Sequence, residues 1–260
     1  MFKKLGLQLY TVRDYLGDAS LADYTFARLA ELGYTEGQTA GSTFDNKVFG
    51  ELAAKHGIKI VGTHYSYDKI MEQPEKTMEL HRMWGTTNVG IGSMPRFARN
   101  GGADGLRQFI LEYNRAAELY AKHGFKLTYH NHNYEFSRVD GYKTMMDLLA
   151  EGLDPATTSF VLDTCWVAAG GGDVNAWMRK LAGRIDILHL KDLTIKRESD
   201  STLKPQVAEI GNGNLHWDSI MATAEEIGVK HYVVEQDGDF TGNAFNSLAQ
   251  SAAFLKKYQA

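Results

Sequence analysis

The sequence predicts an α/β protein, a closed parallel barrel of eight strand–helix units. Three observations predict it. A helix, glycine, strand pattern recurs along the chain: Ala54-Lys55-His56-Gly57-Ile58-Lys59-Ile60 is echoed by Ala121-Lys122-His123-Gly124-Phe125-Lys126-Leu127. Looser copies stand at Glu31-Leu32-Gly33-Tyr34 and Glu226-Ile227-Gly228-Val229. Short apolar runs count to eight, and most of them end in polar residues. An open doubly wound sheet is the competing architecture. The count of eight and the polar strand ends favour closure, because barrels of this kind carry their reactive groups at the carboxyl ends of the strands.

The strands are read at Leu5–Leu9, Tyr34–Gln38 (the weakest), Ile58–Thr63, Asn88–Ile91, Lys126–His130, Ser159–Leu162, Ile185–Leu190 and Tyr232–Val234. Between them run helical stripes of period 3.6. One comprises Leu106, Phe109, Ile110, Tyr113, Ala117 and Tyr120, and another Trp217, Ile220, Met221, Ala224 and Ile227. Ser20 with Asp23 reads as a capping box before a helix bearing Ala22, Phe26 and Leu29. Glycine after a cationic last turn supplies the left-handed stop. The chain shows no domain boundary, so residues 1–260 are read as one barrel domain with almost no insertions.

Composition excludes several classes. The chain has 260 residues, 43% hydrophobic and 23% charged, with a net charge of −4. That balance argues against a nucleic-acid groove. The single cysteine, Cys165, excludes a disulfide scaffold and a cysteine-rich zinc site. No apolar run is long enough for a membrane span, and no signal peptide is visible, so a cytoplasmic location is expected, although a removed signal would leave no trace. The 26 glycines and 4 prolines fit many tight connections without Pro-rich linkers.

Polar residues follow every strand. They are Gln8, Tyr10 and Arg13; Glu36 and Gln38; His64 and Tyr65; Ser93 and Pro95; His130 to Glu135; Asp163; His189, Lys191 and Asp192; and Glu235, Gln236 and Asp237. On a barrel they converge on one mouth. Glu135, Asp163, His189 and Glu235, from strands five to eight, form a carboxylate–imidazole set suited to one divalent ion: Mn²⁺ first, with Zn²⁺, Co²⁺ or Mg²⁺ as alternatives. Without thiolates, an open site that admits substrate oxygens is the natural reading. The plain structural alternatives are an N-cap for Asp163 and a satisfied core histidine for His189. Glu235 is harder to dismiss, since a carboxylate beside a barrel core needs a partner. His56 and His123 are explained by helix ends, and His81, His216 and His231 carry no partner pattern. Gly170-Gly171-Gly172 lacks the Lys-Ser/Thr of a phosphate loop, Gly211-Asn212-Gly213 is no dinucleotide fingerprint, and there is no nucleophile elbow.

These residues carry a resemblance. Gly6-Leu7-Gln8-Leu9-Tyr10-Thr11-Val12-Arg13-Asp14, Tyr129-His130-Asn131-His132-Asn133-Tyr134-Glu135-Phe136, Leu162-Asp163-Thr164, His189-Leu190-Lys191-Asp192, Ile210-Gly211-Asn212-Gly213 and Val234-Glu235-Gln236-Asp237 resemble the sugar isomerase/epimerase branch of the xylose isomerase-like TIM barrels. The likeness runs from about Leu5 to Tyr258. It implies one divalent metal held by Glu, Asp, His and Glu, onto which Asp163, His189 and Glu235 map directly. In ketose epimerases the strand-five ligand is a Glu on the strand itself, near Tyr129 or His130 here; Glu135 is the best remaining candidate, with His132 three residues before it, and a neighbouring histidine is the alternative ligand. Gln38 stands where relatives carry Glu, and Trp166 where epimerases place His. These departures argue against a ketose 3-epimerase of the usual kind.

The resemblance implies a metal-dependent sugar isomerase or epimerase, taking a proton from beside the carbonyl of a sugar or keto-sugar through a metal-bound enediolate. The alternative is a lyase or dehydratase on a 3-keto-sugar or keto-inositol. His132 is the first candidate for the base and Glu235 the second, with Lys191 as a further catalytic group. Gln8, Tyr10, Arg13, Gln38, His64, His130 and Trp166 are the expected substrate-binding residues, Tyr10 and Trp166 as flat walls. The partner is a small sugar, with no nucleic acid and no membrane, and a homo-oligomer is allowed. Two further readings are an apurinic endonuclease, which needs more metal ligands and a basic groove, and a sugar-binding barrel without catalysis.

Overall fold

The computed structural model describes residues 2–260. The barrel strands are β1 (Leu5–Gln8), β2 (Tyr34–Thr39), β3 (Lys59–Thr63), β4 (Asn88–Ile91), β5 (Lys126–His130), β6 (Thr158–Asp163), β7 (Ile185–Leu190) and β8 (His231–Val234). They form one parallel sheet in the order β3-β2-β1-β8-β7-β6-β5-β4. The ends of that order meet and nearly close the barrel. Tyr65 N–H donates to the Gly90 carbonyl (2.6 Å), the Asn88 amide to the Val61 carbonyl (2.9 Å), and Gly90 N–H to Thr63 Oγ1 (3.3 Å). A Cβ at Gly90 would collide with the Thr63 carbonyl and Thr128 Oγ1, so only glycine lets β3 and β4 approach.

The helices are α1 (Ala19–Glu31), α2 (Asn46–Lys55), α3 (Tyr67–Glu72), α4 (Pro74–Met83), α5 (Arg96–Asn100), α6 (Gly102–Ala121), α7 (Met145–Gly152), α8 (Thr164–Ala169), α9 (Val174–Lys180), α10 (Trp217–Glu226) and α11 (Ala244–Leu255). The stripe on α6 buries Leu106, Phe109, Tyr113, Ala117 and Tyr120, and that on α10 buries Trp217, Ile220, Met221 and Ala224. Helix α1 starts two residues earlier than the Ser20 capping box implies. Asp18 is its N-cap, accepting from Leu21 N–H at 2.9 Å, and Ser20 lies inside the helix. An Asp ahead of the Ser takes the cap because its carboxylate complements the helix dipole. Among the described residues no helix is long and apolar enough to cross a membrane.

Period-two alternation divides the strand side chains. Outward residues such as Leu5, Leu7, Leu127, Phe160, Leu162 and Leu188 join the large core beneath the helices. Inward, Val61, Val161, Ile187 and Val233 form a separate cluster. Below it, at the amino ends of the strands, Asp186 pairs with Lys126 (3.4 Å) and Lys230 (2.6 Å), and Glu36 pairs with His231 (2.9 Å). Glu36, read as part of the mouth, therefore belongs to the opposite end: two residues ahead of Gln38, it is one inward step lower.

Two hairpins interrupt the strand–helix alternation. A short one pairs Arg138–Asp140 with Lys143–Thr144, and a longer one pairs Asp192–Arg197 with Leu203–Ala208. The second is an insertion that the sequence reading passed over, because its strands alternate polar and apolar residues without a strong apolar run.

Candidate metal centre and active site

At the carboxyl ends of the strands the inward residues turn polar. His130 ends β5, Asp163 ends β6, His189 lies on β7, and Glu235 follows β8. Asp163 and His189 are register partners in adjacent strands, and Glu235 N–H donates to the Leu190 carbonyl at 3.1 Å. One ligand atom from each of His130, Asp163, His189 and Glu235 lies within 4.8 Å of the others, and all four residues are buried.

Hydrogen bonds orient this set. The Gly92 carbonyl can only accept, so His130 donates to it from Nδ1 (3.1 Å) and leaves Nε2 facing inward. His189 Nε2 meets the Gln38 amide oxygen, which fixes that proton and aims Nδ1 at Glu235 Oε2 (3.1 Å). Asp163 serves twice: Oδ1 accepts from Trp166 N–H at 2.9 Å, capping α8, while Oδ2 points inward. The N-cap and ligand readings of Asp163 are thus compatible. His130 Nε2 and Asp163 Oδ2 are buried without a hydrogen-bond partner, 3.5 Å apart. Two unsatisfied inward lone-pair groups, flanked by a second imidazole and a second carboxylate, fit a divalent cation. Gln38 is then the partner that orients a ligating imidazole.

Glu135, expected as the strand-five ligand, is not in this set. It sits on the single turn Tyr134–Phe136, and its oxygens accept from Tyr129 O–H (2.6 Å) and His132 N–H (2.8 Å). Tyr129 faces outward from β5 against Phe109. The Glu135 side chain is therefore drawn behind the strand, and His130, the inward residue at the strand end, takes the expected place.

Above the four lies a cavity of about 540 Å³. Of the expected site residues it is lined by Tyr10, Arg13, His64, His130, His132, Trp166, Lys191 and Glu235. Ala40, Gly92, Ser93 and Asp237 line it as well. Gln8 and Gln38 lie beneath: Gln8 Nε2 contacts His64 Nδ1 at 3.2 Å, and both glutamines are fully buried. Arg13 is committed to the carbonyls of Tyr10 (2.8 Å) and Asp237 (3.1 Å), with its guanidinium 4.2 Å from the Tyr10 ring centroid. His132 stacks on Tyr134 at 5.3 Å and lies 5.8 Å from the Trp166 ring. Asp237, read among the polar residues of the mouth, was given no role there, although inward alternation from Glu235 points to it.

The charges are interdependent. Burial would raise Asp163, but the Lys191 ammonium and the neighbouring imidazoles of His130 and His189 outweigh it and hold the carboxyl at about 2. Glu235 is likewise held well below the usual range despite burial, chiefly by Lys191 and His189. Burial opposes a charge on His189, yet Glu235 and Asp163 lift it to about 9. His132 moves the other way: burial, reinforced by His130, lowers it to about 3, so its ring is neutral and Nδ1 has no partner. Burial raises Glu135 to about 7.

The model of one family, the xylose isomerase-like TIM barrel, matches residues 26–258. The chain belongs to that family. It is similar to a sugar phosphate isomerase/epimerase from Parabacteroides distasonis ATCC 8503, with 27% identity, 98% of this chain and 93% of that one covered, and a TM-score of 0.79. A probable 3-DHS dehydratase from Bacillus anthracis shares the fold at 14% identity, with 97% and 98% covered and a TM-score of 0.72. An L-ribulose 3-epimerase does so at 15% identity, with 99% and 94% covered and a TM-score of 0.70. No curated protein matches significantly. Within this family the inward residue ending β5 is here an imidazole.

Proposed function

We propose that this chain is a divalent-ion-dependent sugar isomerase or epimerase that removes a proton from the carbon beside a carbonyl of a sugar or keto-sugar. The observation that carries the reading is the buried His130–Asp163–His189–Glu235 set at the floor of a cavity whose wall holds a neutral histidine. The likeness to a sugar phosphate isomerase/epimerase at 27% identity supports it. When bound, the ion, Mn²⁺ in our reading, supplies Lewis-acid polarisation of the substrate carbonyl and stabilises negative charge on its oxygen.

The remaining work falls to the chain. His132 Nδ1 is the base: it is unprotonated, unpartnered and on the cavity wall. Negative charge developing on the substrate raises its proton affinity during the transfer. Returning the proton to the other face or to the neighbouring carbon completes epimerisation or isomerisation. Glu135 positions this base by accepting the His132 backbone N–H at 2.8 Å. Glu235 keeps a role as ligand and second candidate base. Trp166 and Tyr10 provide flat walls, and His64 and the Trp166 indole N–H, both carrying buried nitrogens without partners, are placed for substrate hydroxyls.

Elimination from a 3-keto-sugar is the second reading. It has one observation in its favour: Lys191, a buried ammonium on the cavity wall, is placed to receive a departing oxygen. Both readings take a small-molecule partner. The test incubates the Mn²⁺-loaded protein with free ketoses, their phosphate esters and 3-keto-glucosides, and follows products by NMR. Products of unchanged mass support isomerisation or epimerisation. Release of water or an aglycone would assign the lyase reading, and no turnover of any of them contradicts both.

A further inference from the structure

Lys191 is fully buried, and its position is fixed by two strands. The inward alternation of β7 continues through Ile187 and His189 to Lys191, and that of β8 through Val233 and Glu235 to Asp237. Val233 is paired with His189 and Val234 with Leu190, so the same register sets Lys191 level with Glu235, and Asp237 stands one inward step above both. The Lys191 ammonium lies 3.3 Å from Glu235 Oε2 and 3.8 Å from Asp163 Oδ2. It also touches Asp237 Oδ2 and sits 4.6 Å from the Trp166 ring centroid.

The two lower oxygens are those that the four-residue set turns toward a cation. A divalent ion among His130, Asp163, His189 and Glu235 therefore shares its two negative ligands with an ammonium already resting on them. Two cations a few ångströms apart in a buried site repel one another with little screening by salt. Asp237 differs from the other two acids. Its side chain is 36% exposed, it lies outside the four-residue set, and it meets the ammonium from the cavity side.

We propose that Lys191 is a competing cation for the ion site, pairing Asp163 and Glu235 in the ion-free protein, and that Asp237 is the berth that draws the ammonium away when an ion enters. The proposal rests on the ion-binding reading given above. Pairing with Lys191 offsets the cost of burying the two carboxylates whenever no ion is bound, since an unpaired pair would be costly. It also makes ion affinity a property of residues that are not ligands.

The test is calorimetric titration of Mn²⁺ into the chelator-stripped full chain. Lys191→Met is expected to bind at least tenfold more tightly than the native protein, and Asp237→Asn at least threefold more weakly. The double variant should bind as Lys191→Met does, because the berth matters only while the lysine is present. Lys191→Gln, which keeps a polar group, guards against a folding failure of the Met variant and should shift affinity the same way. Equal or weaker binding by both Lys191 variants overturns the proposal. So does a double variant weakened, relative to Lys191→Met, as much as Asp237→Asn is relative to the native protein; that result makes Asp237 an ion-binding residue in its own right. If neither the native protein nor any Lys191 variant takes up Mn²⁺, the ion-binding reading falls with it.

Discussion

In the proposed mechanism His132 and Glu235 carry different parts, and substitution separates them. His132→Ala removes the base and leaves the four-residue set intact. It should abolish hydrogen exchange at the substrate carbon while Mn²⁺ uptake, read by calorimetry, stays within a few-fold of native. Glu235→Ala takes an oxygen from the set and should lose both. Glu135 makes a third claim at this scale. Burial raises its carboxyl from 4.5 to about 7, so the folded state holds that proton more tightly than the unfolded chain does. The contribution is fully present below the unfolded value and is lost as pH rises toward 7, at about 1.4 kcal/mol per unit. Glu135→Gln cannot titrate. Denaturation of chelator-treated proteins should show the variant gaining on the native protein by about 2–3 kcal/mol between pH 4.5 and pH 7. A difference independent of pH would contradict the buried, protonated Glu135. The resemblance made Glu135 the best remaining strand-five ligand, with a neighbouring histidine as the alternative. What it could not show is that Tyr129, facing outward one residue before His130, pulls that carboxylate behind the strand.

At the scale of elements, the strand ends were readable and the insertions were not. Strands β4, β5 and β7 have the bounds read from the sequence. Alternation along β7 and β8 then yields His189, Lys191, Glu235 and Asp237 as one inward face. The hairpin Asp192–Ala208 has no such run, and its anchor is a single buried carboxylate. Asp192 accepts hydrogen bonds from the N–H groups of Leu193 (2.8 Å), Gly211 (2.8 Å), Gly213 (3.2 Å) and Leu215 (3.2 Å) and from the Trp217 indole (2.6 Å). The Ile210-Gly211-Asn212-Gly213 motif, which fits no dinucleotide fingerprint, is explained by this: the backbone must come close to Asp192. A Cβ at Gly213 would collide with Asp192 Oδ1 and the Leu193 carbonyl. Asp192→Ala should cost at least about 3 kcal/mol in chemical denaturation, since several buried donors lose their acceptor at once. Gly213→Ala should cost about 1–3 kcal/mol. If either substitution leaves the denaturation midpoint unchanged, the carboxylate is not the anchor.

For the molecule as a whole, barrel closure sets the site. His64 follows β3, Gly92 and Ser93 follow β4, and the four-residue set draws on β5 to β8, so the β3–β4 seam controls one wall of the cavity. Gly90→Ala should loosen that seam, raising hydrogen exchange at the Tyr65 and Gly90 amides while the β5–β6 ladder stays protected. The eightfold repeat and the polar mouth made the architecture legible in the sequence, whereas the seam depends on one glycine and an amide side chain that no periodicity marks. The central claim joins this frame to its chemistry: the mouth binds a divalent ion and abstracts a proton beside a sugar carbonyl. Its most direct test is deuterium incorporation from D₂O into a turned-over ketose or keto-sugar, followed by NMR with Mn²⁺, after chelation, and after Mn²⁺ is restored. We expect incorporation at the carbon beside the carbonyl, its loss on chelation and its recovery with Mn²⁺. Incorporation that continues undiminished in chelator, or turnover without any incorporation, would contradict the account.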